Sequence, residues 1–317
     1  RASESVRATA RRRVLAELPR ERAGLLVGMA LGDTSLLRAD LDRAFKAAGL
    51  THLLAVSGQN VALVVAAGLG VVVGLGAGRA ALAATGVVLV ALFALLTRWE
   101  PSVLRASGMA VLALLGVATG RGPGGRRALC LAVVLLMLAN PALVASLGFQ
   151  LSVAATAGVL WLGPLATRLL PARLPEVLRV AVGASLGAQA GASPVLALAL
   201  GRVSLAGLAT NLVAVPLAAV PMLLGVAAAA TAVVAPPLAT LACRLADPFL
   251  GALVALANQG AALPGASFSL SGPARLLPAL AVLACTAIAY RRASALDRAA
   301  EQERRLRRLG AGGGRPA

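Results

Sequence analysis

The chain has 317 residues, of which 59% are hydrophobic and only 13% charged, with a mean hydropathy of +0.86. An ordinary soluble domain carries roughly 25% charged residues, so this composition excludes a soluble globular protein, and it excludes disorder, which needs low hydrophobicity. Yet 30 basic against 12 acidic residues leave a net charge of +18. A chain both very apolar and very basic reads as an all-α, polytopic membrane helical bundle with broken or re-entrant helices.

The charges are sorted by position. Residues 1–46 hold ten basic and six acidic residues, and residues 291–317 hold eight and three. The stretches 128–167 and 203–243 hold none. Charge-free runs suit a bilayer core, where a mid-helix Arg or Asp costs about 2.5–3.5 kcal/mol. Three regions follow: a basic, amphipathic, interfacial helical region at 1–48, a transmembrane domain at 49–290, and a basic, partly disordered tail at 291–317. The chain starts with Arg and shows no signal peptide, which reads as a piece of a longer protein.

In chain order, residues 4–22 predict a basic amphipathic helix ending near Pro19, and 24–48 continue helical with a break at Gly32-Asp33-Thr34. The first apolar segment, 50–76, is interrupted by Ser57-Gly58-Gln59-Asn60. Segments at 80–97, 101–119, 128–146, 148–166 and 180–200 follow. The run 203–234 contains Pro216 and Pro221 and exceeds the roughly 20 residues that span a bilayer, so it is expected to be broken or re-entrant. Residues 236–257 carry Arg244 and Asp247, and 274–290 form the last apolar segment. Eight to ten membrane segments are expected. The loops 77–79, 120–127 and 168–179 carry the Arg residues, which makes their side cytoplasmic and puts the N-terminal region outside.

Several chemistries are excluded. No GxxxxGK[ST] is present, so the chain encodes no P-loop ATPase. One histidine cannot build a multi-His metal site, and Cys130, Cys243 and Cys285 are far apart with no CxxC. No cofactor and no metal are expected. Ser57 and His52 are five residues apart, which on a helix points them about 140° apart, so a serine hydrolase is not expected.

Small residues recur at helix-packing intervals: Gly70 and Gly74, then Gly183, Gly187 and Gly191. In lipid such spacing lets helix backbones approach. The informative positions are polar groups inside apolar runs: Ser57, Asn60, Arg105, Gln150, Gln189 and Asn211. They either glue helices singly or share one interior path.

Four strings, in order, resemble the competence domain of the ComEC family of inner-membrane DNA-uptake proteins. They are AGLTHLLAVSGQNVAL (48–63), PSVLRASGMAVLALL (101–115), NPALVASLGFQLSVAATAGV (140–159) and GAQAGASPVLALALGRVSLAGLATNLVAVPL (187–217). The sequence departs from the family pattern at Asn60, where His is common, and at Gly201, where an aromatic is usual. The resemblance implies translocation of single-stranded DNA across the cytoplasmic membrane during natural transformation, without enzymatic activity. It also implies an external DNA-binding receptor and a cytoplasmic helicase-like ATPase that supplies the pulling force. Members of that family often carry an OB domain before this region and a metallo-β-lactamase-like domain after it, and a chain with one histidine cannot contain the latter. A homodimer is compatible with it.

In that reading Ser57, Asn60, Arg105, Gln150, Gln189 and Asn211 line the path. Arg7, Arg11, Arg12 and Arg13 meet DNA at the outer mouth, and Arg121, Arg126 and Arg127 at the inner one. Conduction needs binding weak enough to release, which suits few charges within the spans. Broken helices with polar residues also suit a small-molecule or ion transporter, and a structural scaffold would use the same residues only as glue.

Overall fold

The computed structural model describes residues 2–54, 56–119, 124–204, 206–263, 267–288 and 290–291. Helix α1, Ala2–Glu17, places Arg7, Ala10 and Val14 on one buried face, with Leu18 continuing it. These spacings of three and four residues follow one side of a 3.6-residue helix. Pro19 opens α2, Arg20–Leu31, and Gly32 closes it in the left-handed region with its N–H on Gly28 O. Every residue of α2 from Ala23 to Leu31 is buried. A helix enclosed on all sides has no solvent or lipid face of its own.

Glycine allows that enclosure. A Cβ on Gly24 would lie 2.7 Å from Leu36 O, and one on Gly28 would collide with Leu54 O. On another side Leu26 and Ala30 press onto Gly225 of α12, Ala206–Thr231. Helix α3, Ala39–Ala47, buries Leu41 and Phe45 and exposes its charges, including a Lys46–Asp42 pair at 2.5 Å. The N-terminal helices thus share one core with α12 and α13, Pro236–Ala262.

The expected interruption of the first apolar segment is present. A single turn, α4 (Thr51–Leu54), is followed by an extended link, and α5 starts at Gly58 and runs to Gly74. Helices α6, Arg79–Leu96, and α7, Pro101–Thr119, pack beside it around Val61, Val90, Phe93, Val103 and Leu114. Arg98 and Trp99 turn the chain between them at positive φ.

Helix α8 spans Gly125–Ala139. Asn140 then accepts a hydrogen bond from Ala142 N and starts a 3-10 turn over Pro141–Ala145. Ser146 accepts from Phe149 N and caps α9, Leu147–Ala157. A π turn, Gly158–Leu162, leads directly into α10, Gly163–Leu169. The glycines of α11, Glu176–Leu200, pack against this continuous helix backbone to backbone. A Cβ on Gly187 would sit 2.6 Å from Gly158 O, and one on Gly183 would sit 2.8 Å from Gly163 O. The packing use expected of Gly183, Gly187 and Gly191 is what the structure shows. Gly70 and Gly74 differ: nothing lies within 4 Å of a Cβ at either position.

After α11, strand β1 (Arg202–Ser204) pairs antiparallel with β2 (Ser267–Ser269), Arg202 opposite Ser269. Arg275 donates to Leu270 O and Leu198 O, fastening the start of α14, Gly272–Ile288, to the C-terminus of α11. Between the strands run α12 and α13. The run around Pro216 and Pro221 was expected to break, but α12 is one helix through both prolines. Each proline removes one backbone donor, and Pro221 is buried against neighbours that hold the helix.

Among the described residues six helices are long and apolar enough to cross a membrane: Arg79–Leu96, Pro101–Thr119, Leu147–Leu169, Glu176–Leu200, Ala209–Thr231 and Pro236–Ala262. Gly58–Gly74 and Gly272–Ile288 are shorter apolar helices. Large apolar side chains such as Val73, Leu138, Val177 and Val234 point outward, as a surface bathed in lipid requires. The chain is an all-α, multi-pass membrane protein.

Candidate functional site

The break between α4 and α5 gathers the polar groups. Ser57 sits at the N-cap position of α5 but its hydroxyl donates to Asn60 Oδ1 at 3.0 Å instead of capping a backbone N–H. Asn60 Nδ2 in turn donates to Met29 O at 3.0 Å, tying the break to α2. Ser102, in the first turn of α7, donates to Val56 O at 3.0 Å and satisfies the extended link. Non-helical backbone at membrane depth persists only when such partners surround it. A small cleft opens here, lined by Met29, Leu53, Gln59, Asn60, Ala218 and Met222.

Arg105 lies on α7, 6% exposed, against the start of α5. Its guanidinium occupies the space in which a Cβ on Gly58 would stand. Its Nε donates to Ser152 Oγ of α9 at 2.7 Å, and a terminal nitrogen lies 3.1 Å from Met109 Sδ. No carboxylate pairs with Arg105 among the described residues. A charge buried without a counter-charge costs several kcal/mol. Of the candidate residues, Ser57 and Asn60 bond each other at the break, and Arg105 lies against Gly58 between them in sequence.

The other three lie on the surrounding helices. Gln150 is exposed on α9 and its amide donates to Val144 O at 2.7 Å, which stabilises the turn that starts the helix. Gln189 is half-buried on α11, between Gly187 and Gly191 in sequence but on the other side of the helix from the glycine stripe. Asn211 lies on α12, and its Oδ1 is buried without a partner. Seven and eleven residues on from it, Ala218 and Met222 line the cleft, so Asn211 shares their helix face about 10 Å away. Its neighbour Thr210 donates to Ala48 O at 2.7 Å.

The N-terminal arginines divide. Arg7 is corrected: it is buried, not a contact at a mouth. Its guanidinium donates to Leu31 O at 2.7 Å and also to Leu96 O, the last carbonyls of α2 and α6. One cation therefore satisfies two helix C-termini, where acceptors are unfilled and the dipole is negative. Burial, and then the neighbouring Arg98, lower its pKa from the usual arginine value. Arg11 pairs with Asp33 at 3.4 Å. Burial raises the Asp33 pKa, but hydrogen bonds from Ser35 and the charges of Arg11 and Arg7 outweigh it and bring the value down. Arg12 is exposed and donates to Thr9 Oγ1 at 3.4 Å. Arg13 is half-buried.

At the far end of the bundle Arg126 and Arg127 are exposed at the start of α8. Arg126 stacks over Trp161, 5.4 Å from the ring centre, and donates to Leu160 O at 3.1 Å. Arg121 lies outside the described residues.

Sequence reasoning missed two polar contacts. Arg22 of α2 pairs with Asp247 in the middle of α13 at 2.6 Å, and its guanidinium lies over Gly251. Glu17 at the end of α1 accepts from Thr240 Oγ1 at 2.9 Å and Arg244 Nε at 3.2 Å. Those bonds, Thr240's first, lower the Glu17 pKa. The signal available was that Arg244 and Asp247 interrupt an apolar helix, where an ionisable residue needs a partner. No group of three or more potential metal ligands occurs among the described residues.

A family model described as "Competence protein" matches residues 29–294. Among curated proteins, ComE operon protein 3 of Bacillus subtilis (strain 168) is 27% identical over 203 residues, 63% of this chain and 25% of that protein. The chain thus spans about a quarter of the length of that relative. No solved structure matches.

Proposed function

The chain belongs to the competence protein family, and we propose that it forms the membrane channel through which single-stranded DNA crosses the cytoplasmic membrane in natural transformation. The observation that carries this reading is the polar α4–α5 break, with a buried arginine beside it that has no acidic partner among the described residues. A conduit for a polyanion needs neutral polar groups and sparse positive charge, so that the strand enters and also leaves. Ser57, Asn60 and Arg105 form the centre of the path, with Gln150, Gln189 and Asn211 on the helices around it. Arg11, Arg12 and Arg13 serve the outer mouth, and Arg121, Arg126 and Arg127 the inner one.

The chain acts as a conduit and not as an enzyme. The pulling force comes from a helicase-like ATPase on the cytoplasmic side, and an external receptor delivers the DNA. Membrane lipid surrounds the bundle, and two copies can associate. The regions 1–48, 49–290 and 291–317 keep their proposed roles as interfacial helices, channel and basic tail. The first of these is seated in the same core as α12 and α13.

The test replaces Arg105 with Gln and Asn60 with Ala, singly, in a transformable host. Uptake of labelled DNA falls at least tenfold while protein levels and receptor-bound DNA stay normal. Normal uptake with normal protein levels rejects the channel assignment.

A further inference from the structure

We infer that Arg105, with Gly58 and Ser152, forms a seat for one phosphate group within the membrane, and that a phosphodiester of the passing strand is its occupant. This rests on the channel reading for the source of the phosphate, but the seat itself is argued from its own geometry.

The first observation is charge. Arg105 is about nineteen-twentieths buried, and its neighbours within reach are a hydroxyl, a thioether and glycine backbone. The buried arginines of ion-pair networks sit against carboxylates. Here the counter-charge is absent among the described residues, so an anion from outside the chain completes the site.

The second observation is the helix that Arg105 faces. Its guanidinium sits at the first residue of α5, a 17-residue helix whose N-terminal end is the positive end of the dipole. A cation held against the positive end of a helix is unfavourable unless an anion lies between or beside them. Backbone N–H groups of a helix N-terminus and a guanidinium are each donors that phosphate oxygens take.

The third observation is orientation. Ser152 holds Nε at 2.7 Å and Met109 Sδ lies 3.1 Å from one terminal nitrogen, so the planar group has one fixed attitude in which the other terminal nitrogen faces Gly58. Glycine at 58 leaves room for the guanidinium. Lysine lacks the fork and would not reproduce the seat.

The experiment uses the full chain in phosphatidylcholine nanodiscs. Binding of a fluorescent oligo-dT 20-mer is followed by anisotropy across a salt series, and thermal unfolding is followed with and without inorganic phosphate. Arg105→Gln weakens oligonucleotide binding on the order of tenfold, from the loss of charged hydrogen bonds. It also flattens the log–log salt slope by about 0.7, the value for one single-strand phosphate contact. Arg105→Lys lies between, and a methylphosphonate oligomer no longer distinguishes the variants.

Phosphate raises the unfolding temperature of the wild type and not of Arg105→Gln. If it does so while oligo-dT does not bind at all, the seat stands and the DNA reading falls. If the difference between wild type and variant disappears when phosphatidylglycerol is added, the occupant is a lipid headgroup phosphate. Should Arg105→Gln fail to fold, Ser152→Ala carries the test, with about a threefold loss of oligo-dT affinity expected from one hydrogen bond. Equal affinities, equal salt slopes and equal phosphate shifts in wild type and variants overturn the proposal.

Discussion

The guanidinium of Arg105 stands where the side chain of residue 58 would be. The two positions are on different helices, yet the identity of one decides what the other can be. Gly58→Ala is therefore expected to push Arg105 off Ser152 and destabilise the chain by about 1–3 kcal/mol, the usual cost of overpacking. Thermal unfolding in detergent reads the stability. A loss of DNA uptake larger than the stability change accounts for would come from the displaced arginine. An unchanged melting temperature together with unchanged uptake would mean the contact has no consequence.

The two glycine repeats separate cleanly. Gly187→Ala meets Gly158 O at 2.6 Å and Gly163 N at 2.7 Å, so it forces α11 away from the π turn and is expected to cost about 1–3 kcal/mol. Gly70→Ala and Gly74→Ala meet nothing within 4 Å and gain helix propensity, so they are expected to be neutral or up to about 1 kcal/mol stabilising. Parallel unfolding curves for the three variants check the contrast, and the reverse order would contradict the packing described.

Arg7→Gln removes the donor that joins the ends of α2 and α6. Hydrogen bonds from a charged donor contribute about 1.5–3 kcal/mol, and the variant is expected to lose that much. It should also become sensitive to protease at Arg11–Arg13, because α1 is released first. Arg12→Gln, on the exposed side of the same helix, should alter neither stability nor cleavage. Equal protease sensitivity of the two variants would show that Arg7 fastens nothing.

Arg22 and Asp247 join α2 to the centre of α13 across 225 positions of sequence. Asp247→Asn leaves the guanidinium without its partner and is expected to cost about 1–3 kcal/mol, as is Arg22→Gln alone. The double variant should lose less than the sum, with a coupling of about 0.5–3 kcal/mol. Strict additivity in the double-mutant cycle would mean that the pair contributes nothing as a pair.

Much of the architecture was legible because apolar length and polar interruption act locally. The span boundaries at Arg79, Leu96, Pro101 and Thr119 fall where charge and proline stand in the sequence, and Ser57–Asn60 announces its break by polarity alone. What escaped depends on partners far along the chain. The segment Ala23–Leu31 is too short for a span, and its enclosure needs Gly225 of α12 and the carbonyls of Leu36 and Leu54. The spacing Gly24, Gly28, Gly32 was the available sign of it.

Arg7 looked like one more member of a basic cluster until Leu31 and Leu96 supplied acceptors. Pro216 and Pro221 looked like breaks because propensity counts the lost donors and not the neighbours that hold the helix. At the site, the polar residues were visible one by one. That Arg105 packs on Gly58 and Asn60 reaches Met29 while Gln150 turns back to its own loop is information only the tertiary contacts hold.

The burial of α2 has a consequence for biosynthesis. Leu26 and Ala30 rest on Gly225, and Arg22 rests on Asp247, so part of the compartment that α2 fills is translated as much as 225 residues after it. Until α12 and α13 leave the ribosome, nine consecutive buried residues of α2 have only the walls supplied by Leu36 and Leu54. Contacts so distant in sequence carry the larger loop-closure cost, which favours late docking of α2 against α12 and α13.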